Sequence, residues 1–103
     1  MLAAIAEPNR QKILRLVWNS ERTAGEIAAE FDTTFGAVSQ HLKVLRDHGA
    51  IAMRKDGRVH YYKANRESLG PLAEYFENLW WGHLSKLKTL AEDAERLKKK
   101  RRS

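Results

Sequence analysis

At 103 residues the chain is long enough for one compact domain and too short for a second sizeable core. Apolar residues make up 43%, enough for a hydrophobic centre, and the lack of cysteine excludes disulfides, thiolate metal sites and cysteine catalysis together. The formal net charge is +6, and no apolar run approaches the ~20 residues of a membrane span.

In chain order, a short apolar stub over residues 2–6 ends at Glu7-Pro8. It has no basic leader, so it is not a secretory signal, and a cytoplasmic location is expected. Pro8 suits the first turn of a helix running to about Asn19, where its missing N–H costs nothing. Ile13, Leu14, Leu16 and Val17 give that helix an apolar stripe. Thr23-Ala24-Gly25-Glu26 has capping-box spacing, with Thr23 as N-cap and Glu26 reaching back, and Ile27, Ala28 and Phe31 form the apolar face behind it. Asp32-Thr33-Thr34 ends this helix after about two turns. Thr34 can cap the next, which continues through Val38, Leu42 and Leu45 to a stop at Gly49. Two short helices joined by a three-residue turn make a helix-turn-helix.

After Gly49 the period drops to two. Ile51–Lys55 and Arg58–Lys63 flank Asp56-Gly57, a strong hairpin signal that predicts a type I′ turn with positive φ at both central residues. A ribbon directly after a helix-turn-helix is a wing. Ser68 or Pro71 then opens the longest helix, running to about Leu97 and spanning on the order of 40 Å at 1.5 Å per residue. Its apolar positions include Leu72, Phe76, Leu79, Trp80, Leu84 and Leu87. They exceed what a small winged domain can cover alone, which points to a second copy of the chain. Trp80 and Trp81 suit such a seam. The competing reading packs them on the protomer's own core, which adjacent helical positions about 100° apart allow for one of the two. The expected architecture is mainly α with a β-hairpin wing, four helices before the two strands and a fifth after them. Residues 1–97 form one winged helix-turn-helix domain, its dimerisation helix about 68–97, and residues 98–103 a disordered basic tail.

Charge is unevenly distributed. Residues 33–66 hold seven bases against Asp47 and Asp56, inside patterned sequence, whereas residues 1–32 and 67–97 are net acidic. Opposite Val38, Leu42 and Leu45, the second helix of the pair projects Gly36, Ser39, Gln40, Lys43 and Asp47, with Thr34 and Phe35 leading. The Gln40 amide can pair with adenine N6 and N7, Ser39 can donate or accept at either kind of base edge, and Lys43 suits a phosphate. Ordinary exposed polarity is the competing reading, outweighed here by position after a tight turn in the basic block. His41 lies near the apolar stripe and reads first as a half-buried, hydrogen-bonded packing residue, second as a DNA contact. Around the wing tip stand Arg54, Lys55 and Arg58; Arg58 is the favoured backbone or minor-groove contact, and Arg54 has the alternative of an acidic partner.

Thr34-Phe35-Gly36-Ala37-Val38-Ser39-Gln40-His41-Leu42-Lys43-Val44-Leu45-Arg46 resembles the recognition helix of the ArsR/SmtB family of bacterial winged-helix repressors. The similarity extends to Ile5-Ala6-Glu7-Pro8-Asn9-Arg10, to Thr23–Ala28 and to the wing Asp56–Tyr62, about residues 2–65 in all. It implies a symmetric homodimer held by the first and last helices through Leu2, Ile5, Leu72, Phe76, Leu79, Trp80, His83, Leu84 and Leu87. It also implies binding to a pseudo-palindromic double-stranded operator, usually that of the protein's own operon. Metal-sensing members carry thiolates on the helix matching Thr23–Phe31, and this sequence has none there. Others place acid and histidine ligands on the last helix, which here offers His83 followed by Lys86. The sequence therefore resembles the metal-independent members: no metal and no cofactor are expected, and no small-molecule inducer is assigned. Gly36 stands where the family commonly has proline. The expected function is a sequence-specific, dimeric repressor; the alternatives are a ligand- or metal-responsive sensor of the same fold, or a winged-helix interaction module that does not read DNA. No Ser–His–acid order, phosphate loop or carboxylate pair suggests an enzyme.

Overall fold

The computed structural model describes residues 2–82, and the chain divides after Gly70 into two units. In the first, α1 (Leu2–Ile5) leads to α2 (Pro8–Leu16). Glu7 caps α2 by accepting from the Arg10 N–H at 2.9 Å, with Pro8 in the first turn as expected. The helix ends at Leu16, short of the expected Asn19. Its last carbonyls are claimed from elsewhere: Leu16 O accepts from Arg22 Nε at 2.8 Å, Val17 O from the Ala64 N–H at 2.9 Å and Trp18 O from Arg66 Nη2 at 3.0 Å. These donors satisfy carbonyls at and just beyond the helix end, which have no partner within the helix.

The two-residue strand β1 (Arg22–Thr23) escapes periodicity altogether, because two residues carry no period. It runs into α3 (Ala24–Ala28), where the capping box forms as expected: Glu26 N–H donates to Thr23 Oγ1 at 3.1 Å and Thr23 N–H to Glu26 Oε1 at 3.0 Å. Helix α4 (Phe35–Asp47) is capped by Thr34, whose Oγ1 accepts from the Ala37 N–H at 3.1 Å. Its far end is a Schellman motif: Gly49 takes φ +75°, its N–H donates to Arg46 O and the Ala50 N–H to Leu45 O, both at 2.9 Å. Leu45 and Ala50, which this motif brings together, have no exposed surface.

Strands β2 (Ile51–Asp56) and β3 (Val59–Ala64) form the wing, and β3 lies between β1 and β2 in an antiparallel sheet of order β1-β3-β2. Asp56 pairs with Val59, so the two-residue loop is Gly57-Arg58, one position later than Asp56-Gly57. Among the described residues only glycines have positive φ, Gly57 at +62° among them, so the turn has the II′ signature rather than I′. The one-residue shift gives the left-handed position to the residue without a Cβ and puts Arg58 at the tip. A single turn, α5 (Arg66–Leu69), follows under an Asn65 cap and closes at Gly70.

The core of this unit is Ile5, Ile13, Leu14, Val17, Trp18, Ile27, Val38, Leu42, Leu45, Ile51 and Leu69. Helices thus pack around one centre with a small antiparallel sheet at the side, a winged helix-turn-helix. Ile5 has no exposed surface in the protomer.

The second unit begins at Pro71, the later of the two expected starts, because Gly70 at φ +57° interrupts helical geometry after α5. Helix α6 covers 71–82 of the described residues. Phe76 and Trp80, four apart and so on one face, stack at 5.0 Å between ring centroids, with Tyr75 and Trp81 meeting that pair edge-on. Phe76 is 2% exposed and Leu79 55%, and Trp80 and Trp81 are half-buried. His83, Leu84, Leu87, the continuation to Leu97 and the tail 98–103 lie outside the described residues. No helix among the described residues is long and apolar enough to cross a membrane.

Candidate nucleic-acid interface

Helix α4 has two chemically distinct sides. Val38, Leu42 and Leu45 face inward and are buried; Thr34, Phe35, Gly36, Gln40, Lys43 and Asp47 are exposed, with Ser39 half-buried beside them. The 4-and-3 spacing of the inward residues makes this division, because positions between them must turn outward on a 3.6-residue helix. The Thr34 hydroxyl is partly committed as the cap, and Arg46 Nη1 reaches Met53 Sδ at 3.4 Å, linking the last turn of α4 to the wing.

His41 takes the first of its two expected roles. Its ring is half-buried, with Nδ1 at 3.4 Å from Arg10 Nη1 and 3.8 Å from Glu7 Oε2. Arg10 Nε in turn donates to the Ala4 carbonyl. One polar cluster therefore joins α1, the start of α2 and the middle of α4. Partial burial pushes the Glu7 carboxyl up, but the backbone N–H groups of Arg10 and Asn9, together with the charges of His41 and Arg10, outweigh it and hold the pKa below the ordinary carboxylate value.

On the wing, Lys55 and Arg58 are exposed. Arg54 has the acidic partner allowed for it: Nη2 donates to Glu21 Oε2 at 2.8 Å and Nε to Glu21 Oε1 at 3.2 Å, while its guanidinium lies 4.5 Å from the Tyr61 ring centroid. A bidentate pair stacked on an aromatic face fixes the direction of the group. Glu21 was not singled out from the sequence, and no local signal could have found it, since it stands 33 residues from Arg54 and meets it only because β1 pairs with β3. Among the described residues no group of three His, Cys, Asp or Glu side chains is arranged to hold a metal ion.

Comparison with known proteins places these features in company. Residues 7–52 match the family model for bacterial regulatory proteins of the arsR family. The chain is 37% identical over 62 residues to the transcriptional repressor SdpR of Bacillus subtilis, spanning 60% of this chain and 69% of that protein. It is 28% identical over 80 residues to the transcriptional activator HlyU of Vibrio cholerae, spanning 78% and 74%. Among solved structures it superposes on a possible transcriptional regulator for arsenical resistance with a TM-score of 0.66 at 36% identity, covering 85% of this chain and 92% of the other.

Proposed function

The chain belongs to the arsR family of bacterial regulatory proteins and is a DNA-binding transcriptional regulator, and from that premise we propose that it acts in the cytoplasm as a homodimeric repressor of its own operon. Two α4 helices related by a two-fold axis enter successive major grooves, about 34 Å apart, of a pseudo-palindromic operator. Gln40 and Ser39 read base edges, Thr34 and Phe35 lead the helix into the groove, and Gly36 lets the backbone approach. Lys43, Lys55 and Arg58 meet phosphates or a narrow minor groove. His41 and Arg54, held by Glu7, Arg10 and Glu21, position the reading elements instead of touching bases. Leu2, Leu72, Leu79 and Trp80, with His83, Leu84 and Leu87 beyond the described residues, supply the dimer seam.

The observation that supports this reading is the split of α4 into a buried apolar side and an exposed polar side, next to a ribbon with a cationic tip. A gel shift with the DNA upstream of its own gene, at moderate salt and with competitor, tests it. The expected result is a retarded complex with two protomers per duplex; a folded protein that ignores every duplex overturns DNA reading. Removing the gene while following a reporter on the same promoter tests the sign of regulation. Reporter output should rise, and a fall would replace repression by activation, the role that HlyU's name gives that relative.

A further inference from the structure

Phe35 lies three residues before Val38, at the spacing that continues the inward stripe of α4, yet it is not enclosed with that stripe. It opens the helix between its cap, Thr34, and Gly36, and it is 57% exposed although it is the largest side chain there and has no hydrogen-bonding group. The fold does not require a phenylalanine at this position: Val38, Leu42 and Leu45 supply the inward stripe, and Thr34 makes the cap. Nor does the fold require Gly36, since a Cβ there would meet nothing nearer than Thr34 Oγ1 at 4.0 Å. A large apolar ring is therefore held in water beside a position where the backbone is bare, at the end of the helix that enters the groove.

Intact duplex DNA narrows what such a ring can recognise. Base faces are stacked away, and the hydrogen-bonding base edges of the major groove offer an apolar side chain nothing. The apolar group displayed there is the thymine 5-methyl. We propose that Phe35 selects thymine at one position of each half-site by packing its ring against that methyl group, with Gly36 letting the leading turn of α4 lie close enough for contact. This assignment rests on the reading of α4 as the groove-entering helix.

The test uses the full chain and duplexes enriched by it from a random pool. Each thymine is replaced in turn by deoxyuridine, which keeps pairing with adenine and removes only the methyl. At one position per half-site, uracil should weaken wild-type binding about fourfold, and about sixteenfold when both symmetric positions are changed, the magnitude expected for losing one buried methyl at each. F35A should bind the thymine and uracil duplexes equally, while F35L, still apolar, should keep the preference. Thermal melting should show both variants folded, since the side chain is exposed. A wild type indifferent to every thymine-to-uracil change overturns the proposal, as does a position-specific preference that survives in F35A. A pool yielding no enriched duplex overturns the DNA-reading assignment itself, and this one with it.

Discussion

At the scale of single residues, what separates a reader from a brace is whether another side chain already holds it. Arg54 and Arg58 stand four apart on the same ribbon, yet Arg54 is locked to Glu21 and stacked on Tyr61, whereas Arg58 stands exposed in the turn itself. R58A should therefore lower affinity for many sequences alike and reduce the slope of log K against log salt by about 1, as measured by binding titrations across salt. Q40A should cost about 1–3 kcal/mol at the preferred site and relax base choice at one position, which competition among single-base variants of the duplex would show. If discrimination were unchanged, Gln40 would be a bystander. Beyond Phe35, whose exposure runs against its spacing, the exposed positions of α4 were legible in the sequence because burial follows helical spacing. The fate of Arg54 was not, since its partner comes from a distant turn.

At the scale of elements, the helix ends carry local, testable stability. Gly49 closes α4 in the left-handed region at φ +75°, and an added Cβ would lie 3.1 Å from Ser68 Oγ. G49A should destabilise the protein by at least about 1–2 kcal/mol, read as a lower urea midpoint with unchanged slope. Glu7 and Glu26 sit at the starts of α2 and α3, and both carboxyls titrate below the ordinary value. For Glu26 the cause is the Thr23 N–H, followed by the Thr23 hydroxyl; for Glu7 backbone N–H groups and nearby positive charge overcome burial. A carboxylate whose pKa is depressed in the folded state contributes its stability above the unfolded-state pKa of about 4.3 and loses it as pH falls from there through the folded value. Urea midpoints should accordingly decline on acidification through that window, and the decline should be shallower in a protein carrying both E7Q and E26Q. The hairpin shows how local rules refine one another. Asp-Gly announced the turn correctly, but the loop took Gly57-Arg58 because glycine alone accepts the positive φ without strain.

At the scale of the whole molecule, the question is what covers the first and last helices. Leu2 and Leu79 are 65% and 55% exposed, and in the proposed dimer these residues meet a second copy. Sedimentation equilibrium should give twice the 11.9 kDa chain mass at micromolar concentration. L79E should shift the material toward single chains and weaken binding to a two-half-site duplex far more than to one half-site. A wild type that stays single at that concentration would remove the dimer.

The four helices before the wing, the caps of α3 and α4, the stop at Gly49 and the existence of the wing were written in the sequence, whereas strand β1 and the break at Gly70 were not. Each of the former is a bargain among residues two to five apart, closed by bonds whose geometry the local chain dictates. Tertiary structure alone decided that α2 stops at Leu16, that His41 answers to Glu7 and Arg10, and that Arg54 answers to Glu21. Those outcomes depend on groups 6 to 48 positions away along the chain, which no periodicity encodes and only the packed arrangement brings within reach.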